Sequence, residues 1–162
     1  MLSEKMLSSL TRQINRELYS AYFYLGMAMY ADSIGYKGFG HWFKVQVEEE
    51  YEHAEKMSDY ITQQGSRVMI RAIEEPPQDF SSIEDLYKRT FEHERLVTKL
   101  IDDLVAVAKD DGDKGTEDFL QWFVKEQIEE METPEKILGK IREIGKDEAG
   151  LRKIDEELTQ RK

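Results

Sequence analysis

The chain has 162 residues and a formal net charge of -11, from 34 acidic and 23 basic side chains, which argues against a nucleic-acid backbone or an anionic membrane as partner and suits the attraction of cations. It contains no cysteine, so disulfides, thiolate metal sites, iron-sulfur clusters and cysteine nucleophiles are excluded. With 40% hydrophobic and 35% charged residues, no basic-then-apolar leader and no apolar run long enough to span a bilayer, the sequence predicts one soluble domain over residues 1–162, working in the cytoplasm.

From Ser3 to about Ser33 apolar residues recur at helical spacing as Leu7, Leu10, Ile14, Leu18, Ala21, Leu25 and Ala28, with Ser3 placed to cap the first turn. Glu17 and Tyr24 lie beside that stripe on the same face. Gly35, Gly38 and Gly40 read as the end of this helix and the turn into the next. The second helix, from about Phe39 to Gln64, is striped by Phe39, Trp42, Phe43, Met57, Tyr60 and Ile61. Continued through its middle, that stripe falls on Gln46, Glu50 and His53. Residues 66–80 contain Glu75-Pro76-Pro77, which cannot continue a helix, and their length implies a crossing and not a tight hairpin.

Ser81 and Ser82 offer caps for a third helix, Ile83 to Lys109, with Ile83, Leu86, Thr90, Val97, Ile101, Leu104 and Ala108 inward, and Glu94 at a position of the series that should be apolar. After the turn Asp110 to Gly115, Thr116 is expected to cap a fourth helix with Phe119, Leu120 and Phe123 inward. Gln127, Glu130, Pro134, Leu138, Ile141 and Ile144 follow at helical spacing. Pro134 removes a hydrogen bond to the Glu130 carbonyl, which predicts a kink between them or a restart capped by Thr133. Gly145 closes this element, and a last helix from about Asp147 to Leu158 presents Leu151, Ile154 and Leu158. These elements predict an all-α, up-down-down-up four-helix bundle with a long crossover between the second and third helices and a short fifth helix.

Glu17, Glu50, His53, Glu94, Gln127 and Glu130 intrude on the inward faces of the bundle helices, so each helix contributes to one polar centre. Taken singly, each acid is an ordinary surface residue and Glu-x-x-His is a weak signal. Taken together, they require a core of uncompensated carboxylates, and no Lys or Arg falls on these stripes to neutralise them. Carboxylate oxygens and imidazole nitrogen suit hard first-row divalent ions, and four acids with one His can hold two of them with one Glu bridging. Glu49, Glu126 and Glu129, one position off these ligands, suggest a third, oxygen-only site. His41 and His93 flank the stripes and are expected to support and not to ligate.

The segments Ile14-Asn15-Arg16-Glu17-Leu18-Tyr19, Gly38-Phe39-Gly40-His41-Trp42-Phe43, Glu49-Glu50 with His53-Ala54, Phe91-Glu92-His93-Glu94 and Phe119 to Phe123 with Glu126 to Glu130 resemble the non-haem ferritins of bacteria and archaea over essentially the whole chain. The resemblance implies a ferroxidase that oxidises Fe(II) with dioxygen or hydrogen peroxide and stores ferric oxyhydroxide in a homo-oligomeric shell of about 24 subunits. It assigns one iron to Glu17, Glu50 and His53 and the other to Glu50, Glu94 and Glu130, with Gln127 close by. It also assigns a third site to Glu49, Glu126, Glu129 and Glu130, and to Tyr24 an electron or hydrogen bond at the centre. No haem is expected, since Tyr51 stands where the bacterioferritins, which this chain resembles less, carry a haem-ligating Met. Met131 replaces a third consecutive Glu of the family. Two other functions fit the same residues: a di-metal bundle that protects against stress without bulk storage, and a metal-free acidic interaction module.

Overall fold

Polar side chains at the N-termini show why the helices start where they do. In the computed structural model, which describes residues 1–162, Ser3 accepts from the Met6 amide at 3.0 Å and opens α1 (Glu4–Ser33). Ser82 accepts from the Asp85 amide at 3.1 Å and opens α3 (Ile83–Asp110). α2 (Lys37–Gln63), α4 (Lys114–Ile144) and α5 (Glu148–Leu158) complete an all-helical chain. The cap of α4 is Asp113, which accepts from the Thr116 amide at 3.0 Å. Thr116, expected in that role, lies inside the helix instead, with its hydroxyl 2.8 Å from that of Tyr60.

Of the three glycines expected in the first turn, only Gly35, at φ 83, belongs to it. Gly38 and Gly40 sit inside α2, and their reason is close approach: a Cβ on Gly38 would overlap the Asp155 carbonyl of α5, and one on Gly40 would meet the Asp32 carboxylate. α4 continues unbroken through Pro134, so the restart at Thr133 does not occur. Pro134 is buried, and a 31-residue helix packed along its length tolerates one missing backbone bond.

α1 with α2 and α3 with α4 form the two hairpins of an up-down-down-up bundle. Residues 64–82, without helix or strand, carry the chain from one pair to the other. That crossover is tied down where Pro76 is buried and where Phe80 packs edge-on against Tyr30, with ring centroids 5.4 Å apart. On α1 the buried face is turned about one position from the apolar stripe. Met6, Gln13, Glu17, Ser20, Tyr24, Met27 and Ala31 are buried, while Leu7, Leu18 and Leu25 are half-buried. The cause is that α1 packs against both α2 and α3, which widens its inward face beyond a single stripe.

The core is split. One cluster of 16 buried residues gathers Phe23, Tyr24, Phe39, Trp42, Phe43, Leu86, Tyr87 and Leu138 near one end, and another of 14 gathers Met6, Leu10, Met57, Ile61, Ile101, Leu104 and Leu120 near the other. On each bundle helix buried polar residues fall between these two groups in sequence, namely Glu17 and Ser20, then Gln46, Glu50 and His53, then Thr90 and Glu94, then Gln127 and Glu130, so the polar centre forms a layer across the middle of the bundle.

Candidate metal centre

Helical spacing sets the layer. Glu50 and His53, one turn apart on α2, project inward together, while Glu17 comes from α1, Glu94 from α3, and Gln127 with Glu130 from α4. All are buried, the four acids between 1% and 6% exposed, and none of those acids forms an ion pair with a Lys or Arg. Burial pushes the Glu50 carboxyl well above the usual carboxylate range, helped by Glu94, Glu17 and Glu130. It does the same to Glu130, with Glu94 and Glu49 adding to the rise. Burial also raises Glu94 to about 7, even though hydrogen bonds from Tyr24 and Gln127 favour its charged form. Glu50, Glu94 and Glu130 therefore resist ionisation in the absence of a cation.

Three ligand groups emerge. Glu17, Glu50 and His53 have ligand atoms within 4.8 Å of one another, and so do Glu50, Glu94 and Glu130, with Glu50 common to both. His53 Nδ1 stands 3.3 Å from Glu50 and 4.0 Å from Glu17. Its Nε2 faces the other way, 3.9 Å from both Glu126 and Glu130, and these three residues make the third group. The oxygen-only cluster expected beside the pair is thus arranged differently. Glu126 meets His53 and Glu130, Glu49 is held by Arg161, and Glu129 is exposed.

Amides and one phenol orient the acids. Gln13 donates to Glu17 at 2.8 Å, Gln46 to Glu130 at 2.5 Å, and Gln127 to Glu94 at 3.2 Å and to Thr98 at 3.1 Å. The Tyr24 hydroxyl donates to Glu94, and burial first, then Glu94 and Glu50, raises its pKa well above the ordinary phenol value. The second carboxylate oxygen of Glu17 is buried with no hydrogen-bond partner. Such an orphan acceptor costs stability by itself and is satisfied by a cation in the Glu17–Glu50–His53 group.

The sequence placed Gln46 on the inward stripe without giving it a role, and Gln13 and Arg161 went unnoticed. Gln13 is one turn before Glu17 and Gln46 one turn before Glu50, so their spacing was a usable signal. Arg161 had none, because its contact with α2 spans more than a hundred residues. His93 is a supporting residue: Nε2 lies 2.7 Å from the Ser20 hydroxyl, the ring packs 4.8 Å from Phe23, and burial holds its pKa down to about 4. The acidic turn is structured by one local contact, Asp113 as the α4 cap, and one distant one, Asp111 accepting from the Ser3 hydroxyl at the start of α1 at 2.5 Å.

Residues 7–144 match the ferritin-like domain family. A non-haem ferritin of Bacteroides fragilis is 41% identical over 161 residues, covering 99% of this chain and 100% of the relative, and one of Staphylococcus aureus is 37% identical over 161 residues, covering 99% and 97%. In structure, the open-pore ferritin of the hyperthermophilic archaeon Archaeoglobus fulgidus superposes with a TM-score of 0.98 at 48% identity, covering 100% of both chains. A closed form of that ferritin made by site-directed mutagenesis gives 0.99, covering 100% of this chain and 99% of the other. With its helices in ferritin order and a layer of acids and one imidazole across the bundle, the chain belongs to the ferritin family.

Proposed function

We propose that this protein is a cytoplasmic ferritin that oxidises Fe(II) with dioxygen at the buried carboxylate layer and stores the ferric product inside a shell of its own copies. The observation that carries the reading is the pair of ligand groups sharing Glu50, deep in the bundle and without a basic counter-ion. Iron is the substrate. Glu17, Glu50 and His53 bind one Fe(II), and Glu50, Glu94 and Glu130 bind its neighbour, with Glu50 bridging. Carboxylate oxygens are hard donors, so they stabilise Fe(III) more than Fe(II) and favour loss of an electron. Two neighbouring Fe(II) ions surrender one electron each, and dioxygen, taking both with two protons, becomes hydrogen peroxide.

The chain's own residues prepare this step. The carboxyl protons retained through burial leave when the cations bind, so loading releases protons to solvent. Tyr24 holds Glu94 in place by its hydrogen bond, and Gln46 and Gln127 hold Glu130 and Glu94. His53 borders both the paired groups and the Glu126-containing group, which gives ferric ions an adjacent stop on the way out.

The test is aerobic addition of Fe(II) to metal-free protein, followed by ultraviolet absorbance and then by size-exclusion chromatography with iron detection. Oxidation far faster than the protein-free control, with many irons per subunit eluting in a large hollow assembly, is the expected result. A stop at about two irons per subunit keeps the di-metal site but removes storage, and no binding removes both.

A further inference from the structure

From α5 onward the chain runs along α2 and is fastened to it by successive contacts. Asp155 accepts from the Phe39 amide at 2.8 Å, and His41 Nε2 lies 2.6 Å from the Arg161 carbonyl. Arg161 Nη1 then donates to the Trp42 carbonyl at 2.9 Å, with the guanidinium stacked 4.3 Å from the centre of the Trp42 ring. Its Nη2 reaches Gln46 at 3.0 Å and Glu49 at 2.5 Å. The guanidinium is thus the one basic group bonded to the rim of the polar layer. The side chains of this ion pair are 20% and 34% exposed, enough to shield it in part from solvent.

Both acceptors of Nη2 matter to the centre. Gln46 turns its amide nitrogen to Glu130, a member of two ligand groups, so Arg161 fixes the orientation of that amide by taking its oxygen. Glu49 lies close enough to raise the pKa of Glu130 and of Glu126, yet it is absent from every ligand group. A cation beside His53, Glu126 and Glu130 gains Glu49 as a ligand only when the carboxylate leaves the guanidinium. We propose that Arg161 is a positioning residue that keeps this outer cation site weak, by holding Glu49 away from the His53–Glu126–Glu130 group and by placing a fixed positive charge at its edge. Weak outer binding lets an ion pass from the paired site without being retained. The inference rests on the di-metal reading above and adds the control of its exit side.

Zn(II), which has the charge of the substrate and no redox chemistry, is the probe. Isothermal titration of metal-free protein is run on the wild type, Arg161→Gln, Arg161→Lys, Glu49→Gln and the Arg161→Gln/Glu49→Gln double variant, with melting curves as a folding control. Arg161→Gln is expected to tighten the outer binding event about three- to ten-fold, or to expose one that the wild type lacks, while binding at the Glu17–Glu50–His53 group holds. Arg161→Lys, which keeps the charge but loses the fork, should fall between them and carries the test if Arg161→Gln assembles poorly. In the Glu49→Gln background the substitution should keep only the smaller effect of removing the guanidinium charge, a dependence on Glu49 that a merely structural role for Arg161 does not predict. An outer constant within about two-fold of wild type, or a tightening equally large with and without Glu49, overturns the proposal. Normal inner binding in that case leaves the di-metal site standing, whereas absent inner binding in the wild type removes the site itself.

Discussion

The two apolar halves of the bundle and the polar layer between them are built from the same four helices, yet they relate to stability in opposite ways. In the halves, residues such as Leu86 and Leu120 are fully buried and pack tightly, so each contributes by leaving water. In the layer, Glu17, Glu50, Glu94 and Glu130 are as deeply buried but face one another, so burial costs stability until a cation enters. The difference teaches that burial identifies a core residue, whereas a cluster of acids buried without a basic counter-ion identifies a site.

Substitution on the two sides of that contrast should separate them. The largest effect belongs to Glu50, shared by both inner ligand groups. Glu50→Met preserves volume but removes the bridge, and is expected to lower the Fe(II) oxidation rate by about 100-fold or more in stopped-flow absorbance. Next, Leu86→Ala in the aromatic half should cost about 2–5 kcal/mol in urea unfolding while leaving metal stoichiometry intact, because it opens a cavity away from the ligands.

Proton linkage makes a third comparison. The usual Glu pKa of 4.5 is raised to about 7 for Glu94 in the fold, so between these values the folded state holds a proton that the unfolded state has lost. Stability of the metal-free protein should therefore fall as pH rises across that window, by up to about 1.4 kcal/mol per pH unit for this group, and level off above it. Unfolding curves at several pH values check the sign, and a rise with pH would assign the layer to ordinary ion pairing. The smallest effect is expected from Tyr24→Phe, which deletes the hydrogen bond to Glu94 without emptying space. Oxidation should slow by about ten-fold with little change in melting temperature.

Much of the bundle was legible because its helices carry apolar residues at threes and fours and break at Gly35, the residues around Pro76-Pro77, and Gly145. The register of α1 was less so. Its true inward face includes Met6, Met27 and Ala31 because two neighbouring helices cover it, and a one-stripe reading follows only one of them. Glu17 and Tyr24 were found nonetheless, since they lie beside the stripe. The glycines of α2 could not be assigned locally: the reason for Gly38 is the backbone of Asp155, far along the chain. At Pro134 local chemistry allowed a kink or a restart, and packing keeps the helix continuous, which removes the restart. At the centre, helical spacing brought out the acids and His53, and it could also have singled out Gln13 and Gln46. Arg161 follows from no periodicity, because it reaches α2 only through the docking of α5.

The most direct measurement is the melting temperature of the metal-free wild type and of Glu50→Met, each without and with anaerobic Fe(II). The account predicts that Glu50→Met melts higher than wild type without metal, because a buried carboxyl has been replaced by an apolar group of similar size, and that Fe(II) raises the wild type but not the variant. A variant that melts lower and still gains from Fe(II) would contradict it, since Glu50 would then be a structural residue and the iron would bind elsewhere.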